Sequence, residues 1–120
     1  MLVIREDQLE ALREAARHRF DQAMVGEVQR RCSHHARTSP EMLLELVTTA
    51  RRRARHYGLW QRADIRGFIL LAGRHGADVG TTPATRWASE VLEDPRLQGD
   101  EKLQRLAALE PLEGERVPSP

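Results

Sequence analysis

The chain has 120 residues, a net charge of +1 at pH 7, 40% hydrophobic and 31% charged residues. That is one domain's worth of globular protein, too apolar for a disordered segment. Its longest apolar run, residues 68–72, falls far short of the roughly 20 residues a membrane span needs, and the near-neutral charge argues against a general polyanion binder.

Residues 1–4 are apolar, with no basic start or cleavage pattern, so a secretory leader is not expected. Arg5, Glu6, Asp7 and Gln8 open a helix with acids near its positive end. Leu9, Leu12, Ala16, Phe20, Met24 and Val28 recur at steps of three and four, an amphipathic stripe with no proline and only Gly26 before Cys32. The pattern predicts one helix of roughly 25–30 residues, a spine for the rest, with Gly26 as the place where it would bend.

Ser39, Pro40 and Glu41 start a second helix: a capping hydroxyl, a proline suited to the first helical position and an acid at the positive end. Leu43, Leu46, Val47, Ala50, Ala54 and Tyr57 form its apolar face, and Gly58 stops it. Leu59, Trp60, Gln61 and Arg62 connect to a third helix, led by Asp64, that is apolar nearly all round and therefore expected at the centre. Gly73 and Gly76 are expected to end it. After a loop over 77–82, Pro83 starts a fourth helix carrying Trp87, Ala88, Val91 and Leu92, closed by Asp94 and Pro95. A last short helix carries Leu103, Leu106 and Ala107. No alternating strand pattern occurs. The expectation is a compact all-α bundle of about five helices over residues 1–109, with 110–120 as a flexible tail.

Charge is unevenly spread. Residues 11–66 hold 12 Arg against 6 acids, whereas 67–120 hold 6 basic and 9 acidic residues. A basic middle with acidic ends can steer an acidic partner or let the chain's own parts pair. Of the 19 basic residues 18 are Arg and only Lys102 is Lys, which reads mainly as GC-rich coding.

Motifs for chemistry are sparse. Gly73-Arg74-His75-Gly76 has neither the spacing nor the following Lys of a phosphate loop. Cys32-Ser33-His34-His35 has metal-type side chains, but His18, His56 and His75 supply no second ligand pair; a buried thiol and two surface imidazoles at a helix end is the simpler reading. The single cysteine excludes an intrachain disulfide and fits a reducing cytoplasm. No strand-turn-helix elbow surrounds Ser33, Ser39 or Ser89, so neither enzyme activity nor a cofactor is expected. Arg51, Arg52, Arg53 and Arg55 are the best nucleic-acid signal, but successive helical residues lie about 100° apart, so they cannot all face one groove. A solvated face or an acidic protein surface fits them better. Trp60 and Trp87 read either as lids on the core or as anchors for a partner, Trp60 more so because connectors lie at surfaces.

Several segments, taken in order, carry a resemblance. They are Gln8-Leu9-Glu10-Ala11-Leu12, Arg19-Phe20 with Met24-Val25, Ala54-Arg55-His56-Tyr57-Gly58-Leu59, Arg62-Ala63-Asp64-Ile65, and Pro83 with Trp87-Ala88 and Asp94-Pro95. This order resembles small accessory proteins encoded beside bacterial type VI secretion effectors and their adaptor chaperones. Leu59-Trp60 in place of a more polar turn, and the lack of a second proline before Trp87, depart from that pattern. The resemblance implies a cytoplasmic, all-helical, non-catalytic co-chaperone that helps an adaptor or effector reach the secretion spike, with no catalytic residues to carry over. The residues expected to meet that partner are Arg51, Arg52, Arg55, Tyr57, Trp60 and Trp87. An immunity protein neutralising a cognate toxin is the alternative, and an Arg-rich nucleic-acid-binding regulator the more remote one.

Overall fold

The computed structural model describes residues 5–111. It contains five α-helices: α1 (Glu6–Arg31), α2 (Pro40–His56), α3 (Arg62–His75), α4 (Arg86–Leu92) and α5 (Gly99–Leu109), with short 3-10 turns at Ser33–His35 and Pro83–Thr85. No strand occurs among the described residues, and none of these helices is long and apolar enough to cross a membrane. The all-α architecture and the long first helix are those the periodicity predicts. Residues 1–4, and 112–120 of the expected tail, lie outside the described residues.

Local chemistry sets the helix boundaries. The Ser39 hydroxyl accepts from the Met42 N–H at 3.3 Å, and Pro40 occupies the first turn of α2. Gly58, at φ +77°, turns the chain out of that helix. α3 begins two residues before Asp64, which sits in its first turn. Its six consecutive buried residues, Phe68, Ile69, Leu70, Leu71, Ala72 and Gly73, make it the central helix, packed on α1, α2 and α5.

Gly73 corrects an expectation: it lies inside α3 rather than at its end. A Cβ there would sit 3.0 Å from Cys32 Sγ and 3.1 Å from Val28 Cγ1, so the missing side chain is what lets α1 approach α3. Gly76 alone ends the helix, at φ +106°. Pro83 likewise opens a 3-10 turn, and α4 proper starts at Arg86.

The α1 stripe divides into two parts. Met24 and Val28 are in the core and Phe20 packs against its edge. Leu9 and Leu12, however, are 37% and 58% exposed, and residues 5–15 are exposed throughout. Periodicity shows that a helix has an apolar side; it does not show how far the neighbouring helices extend to cover it. The N-terminal ten residues of α1, about 15 Å of helix, project beyond the bundle.

Polar side chains tie the elements together. His35 bonds the Gly73 carbonyl through Nε2 at 2.8 Å and Thr38 Oγ1 through Nδ1 at 3.1 Å, pinning the α1–α2 connection onto α3. It is therefore not the surface imidazole its sequence context suggests. Lys102 is buried, and its ammonium donates to the Tyr57 and Leu92 carbonyls, both at 2.8 Å. It thereby holds the C-terminal ends of α2 and α4 with one charge of the sign those ends favour.

Candidate functional site

The four arginines of α2 have four surroundings, set by the 100° step between them. Arg51 is 14% exposed and makes a forked pair with the 8% exposed Asp21 of α1, Nε to Oδ1 at 2.8 Å and Nη2 to Oδ2 at 3.1 Å. Arg52 is exposed. Arg53 turns inward: it donates to the Ala77 carbonyl, to the Val79 carbonyl at 2.7 Å and to the Tyr57 hydroxyl at 2.9 Å, holding the loop that follows α3. Arg55 lies over the Trp60 ring, 5.2 Å from its centroid.

Arg51, Arg55 and Trp60 come together on one side of the bundle. With Ala16, Arg17 and Phe20 of α1, and Arg62 and Ile65 of α3, they line an open groove of about 290 Å³. Its floor is apolar. Arg62 lies over the Phe20 ring at 5.6 Å, as Arg55 lies over Trp60; both distances are within the reach of cation–π attraction. Arg17 pairs with the exposed Glu10 at 3.0 Å, and Arg51 is neutralised by Asp21. Among the described residues, Arg55 and Arg62 thus face aromatic rings rather than carboxylates. Trp60 is 65% exposed, the most exposed of the large apolar side chains among the described residues. Such a ring is not a lid on the core.

The other expected residues lie elsewhere. Tyr57 is half-buried, its ring 5.9 Å from Phe68 and its hydroxyl engaged by Arg53. Trp87 packs against the core, edge-on to His75 at 5.3 Å. Arg52 does not line the groove. Sequence reading missed Arg17, Phe20, Arg62 and Ile65 as site residues. Phe20 belongs to the apolar stripe of α1 and Ile65 to the apolar third helix, and nothing local marks a residue at the edge of a core. The adjacency of Arg62 to Trp60 is the one signal that could have drawn attention to it.

A larger cleft of about 860 Å³ lies where α1, α3 and α5 end, lined by Cys32, His34, His35, Arg74, His75 and Glu110 among others. Three of its polar groups, Arg74, His75 and Glu110, are engaged with one another. Glu110 accepts from Arg74 at 2.6 and 2.9 Å, and lies 2.7 Å from His75 Nε2. Burial acts to raise the Glu110 carboxyl, but the hydrogen bonds and charges of Arg74 and His75 together outweigh it and hold the group below its ordinary value. Glu110 is therefore fixed to α3, although composition assigns it to the tail. Among the described residues no three His, Cys, Asp or Glu side chains are grouped so as to hold a metal ion.

Compared with protein-family models, curated proteins and solved structures, the chain matches none.

Proposed function

We propose that this chain is a non-catalytic, cytoplasmic protein-binding accessory that docks an acidic segment of its partner in the groove between α1, α2 and α3. The exposed Trp60, with Arg55 and Arg62 beside it engaging rings and no carboxylate, carries the reading. Tryptophan and arginine are the side chains from which interface energy is most often drawn. A partner residue that covers Trp60 and Phe20 removes apolar surface from water, and a carboxylate beside it takes the forked donors of Arg55 and Arg62. The positive rim of Arg17, Arg55 and Arg62 speeds encounter with an acidic surface.

The sequence resemblance supplies the partner class. The partner is the adaptor chaperone of a type VI secretion effector, or the effector itself, and the chain acts as a co-chaperone that loads or stabilises it. Affinity purification from the native operon is the test. Recovery of the adaptor or effector with the wild-type chain, and its loss with Trp60→Ala or Arg55→Ala/Arg62→Ala, is the expected result. Recovery of neither by the wild type removes the reading. Rescue of toxin-expressing cells with no effect on secretion makes the chain an immunity protein instead, and steeply salt-dependent binding to duplex DNA makes it a nucleic-acid binder.

A further inference from the structure

We infer that the groove between α1, α2 and α3 is a pocket for an aryl phosphate monoester, which the partner presents as a phosphorylated tyrosine side chain. Arg55 and Arg62 are exposed and line the same groove. Among the described residues neither donates to a carboxylate, a carbonyl or a hydroxyl. Each instead lies over a ring, Arg55 over Trp60 at 5.2 Å and Arg62 over Phe20 at 5.6 Å. A guanidinium stacked in this way spends its face on the ring and keeps its N–H donors at its edge, in the fork that fits two oxygens of one oxyanion.

The other two arginines of the groove already have carboxylates. Arg17 meets Glu10 at 3.0 Å and Arg51 meets Asp21 at 2.8 Å. Two guanidiniums around one cavity are therefore left for a ligand. A single carboxylate brings one negative charge to them. A phosphate monoester brings about −1.5 to −2 at pH 7, with three strong acceptor oxygens, and so matches both.

The size and floor of the cavity supply the rest of the ligand. Its volume of about 290 Å³ is at the small end of the roughly 300–1,000 Å³ of small-molecule pockets, the scale of one ring with its head group. Ala16, Phe20 and Ile65 make the surface apolar. Trp60 is still 65% exposed with Arg55 upon it, so indole surface is left for a second ring to meet offset or edge-on. Phosphoserine, phosphothreonine and free phosphate bring no ring to that surface. Phosphotyrosine joins a flat apolar body and a dianionic tip in one side chain, and clustered arginines are a recurrent means of reading phosphorylated residues. That the group arrives on the protein partner rests on the function proposed above; the affinity for an aryl phosphate does not.

An NMR titration of the whole chain with N-acetyl-phosphotyrosine amide tests it, read at the indole N–H signals of Trp60 and Trp87. The expected result is a saturable shift of the Trp60 signal, with that of Trp87, which packs against the core, unmoved. N-acetyl-tyrosine amide lacks the phosphate, inorganic phosphate lacks the ring and N-acetyl-glutamate amide lacks both; each is expected to bind about tenfold or more weakly. Arg55→Ala and Arg62→Ala are each expected to raise Kd about tenfold or more, with helix content by circular dichroism unchanged. Arg52→Ala, exposed on α2 but outside the groove, should leave Kd as it is. No saturable shift at Trp60, equal binding of any of the three control compounds, or indifference to Arg55 and Arg62 overturns the inference. Tighter binding of adenosine 5′-monophosphate also overturns it and makes the pocket a nucleotide site. None of these readouts involves the partner. A chain that binds the phosphotyrosine compound but recovers no adaptor keeps this pocket and removes that function; one that recovers an adaptor and binds no phosphotyrosine does the reverse.

Discussion

Arg51 and Arg52 are neighbours in the chain and opposites in the fold, and mutation should separate them. Removing Arg51 leaves the Asp21 carboxylate, 8% exposed, without its forked partner. Stranding a buried charge of this kind costs about 3–5 kcal/mol, so Arg51→Ala is expected to lower the free energy of denaturant unfolding by that order. A double variant, Arg51→Met/Asp21→Asn, should recover part of the loss. Arg52→Ala, at an exposed position, should stay within about 0.5 kcal/mol of the wild type. The sequence displays the arginine run but not Asp21, 30 residues earlier, so it cannot sort structural guanidiniums from available ones. Lys102 makes the same point. The sequence offers no local reading of the sole lysine, yet its buried ammonium satisfies two carbonyls where helices end. Hydrogen bonds from a charged donor contribute about 1.5–3 kcal/mol, and Lys102→Met is expected to destabilise the fold by about that much in the same assay.

At the scale of the element, the end of α3 is legible in part. Gly76 was recognisable as a stop, and its φ of +106° with ψ of 154° is a conformation that only glycine adopts readily. A Cβ there would also come within 2.8 Å of Asp78 Oδ1. Gly76→Ala should cost about 1–3 kcal/mol by thermal or denaturant unfolding. Gly73, three residues earlier and identical in the sequence, is helical because what it meets is another helix. The contact between α3 and the end of α5 also sets a pH dependence. Burial raises Glu110, but the hydrogen bonds and charges of Arg74 and His75 together outweigh it, so the carboxyl titrates below its ordinary value of 4.5. Its contribution to stability is therefore complete above that ordinary value and is lost as pH falls through the lowered one. Glu110→Gln is expected to flatten the acid limb of a stability–pH profile while changing little at its foot. An unchanged profile would show that α5 docks without this carboxylate.

For the whole molecule, the separation of core from groove predicts that stability and binding can be altered independently. Trp60 is 65% exposed, so Trp60→Ala should unfold within about 0.5 kcal/mol of the wild type yet lose partner capture in the purification described above. A variant that also unfolds early would place Trp60 in the core after all. The acid response has a global component too. Glu27 is lowered by its hydrogen bonds from Arg66, which links α1 to α3, and its contribution is lost in the same direction as that of Glu110. Asp64 is raised by burial and by nearby Asp100, so its neutralisation on acidification works the other way. Asp64→Asn should therefore relieve the fold slightly at neutral pH, as denaturant unfolding can measure.

Helix periodicity, the Ser39–Pro40 start, the Gly58 and Gly76 stops and the central apolar helix were all determined by the sequence itself, because each rests on residues within a few turns of one another. The groove was not. It needs Phe20, Arg55, Trp60 and Arg62 from three helices and a connector, and each of them has an ordinary local reading. Only the tertiary structure decided that α1 outruns the bundle, leaving Leu9 and Leu12 in water while Met24 and Val28 go dry. Burial depends on which neighbours reach a side chain, and that is fixed by packing at a distance along the chain.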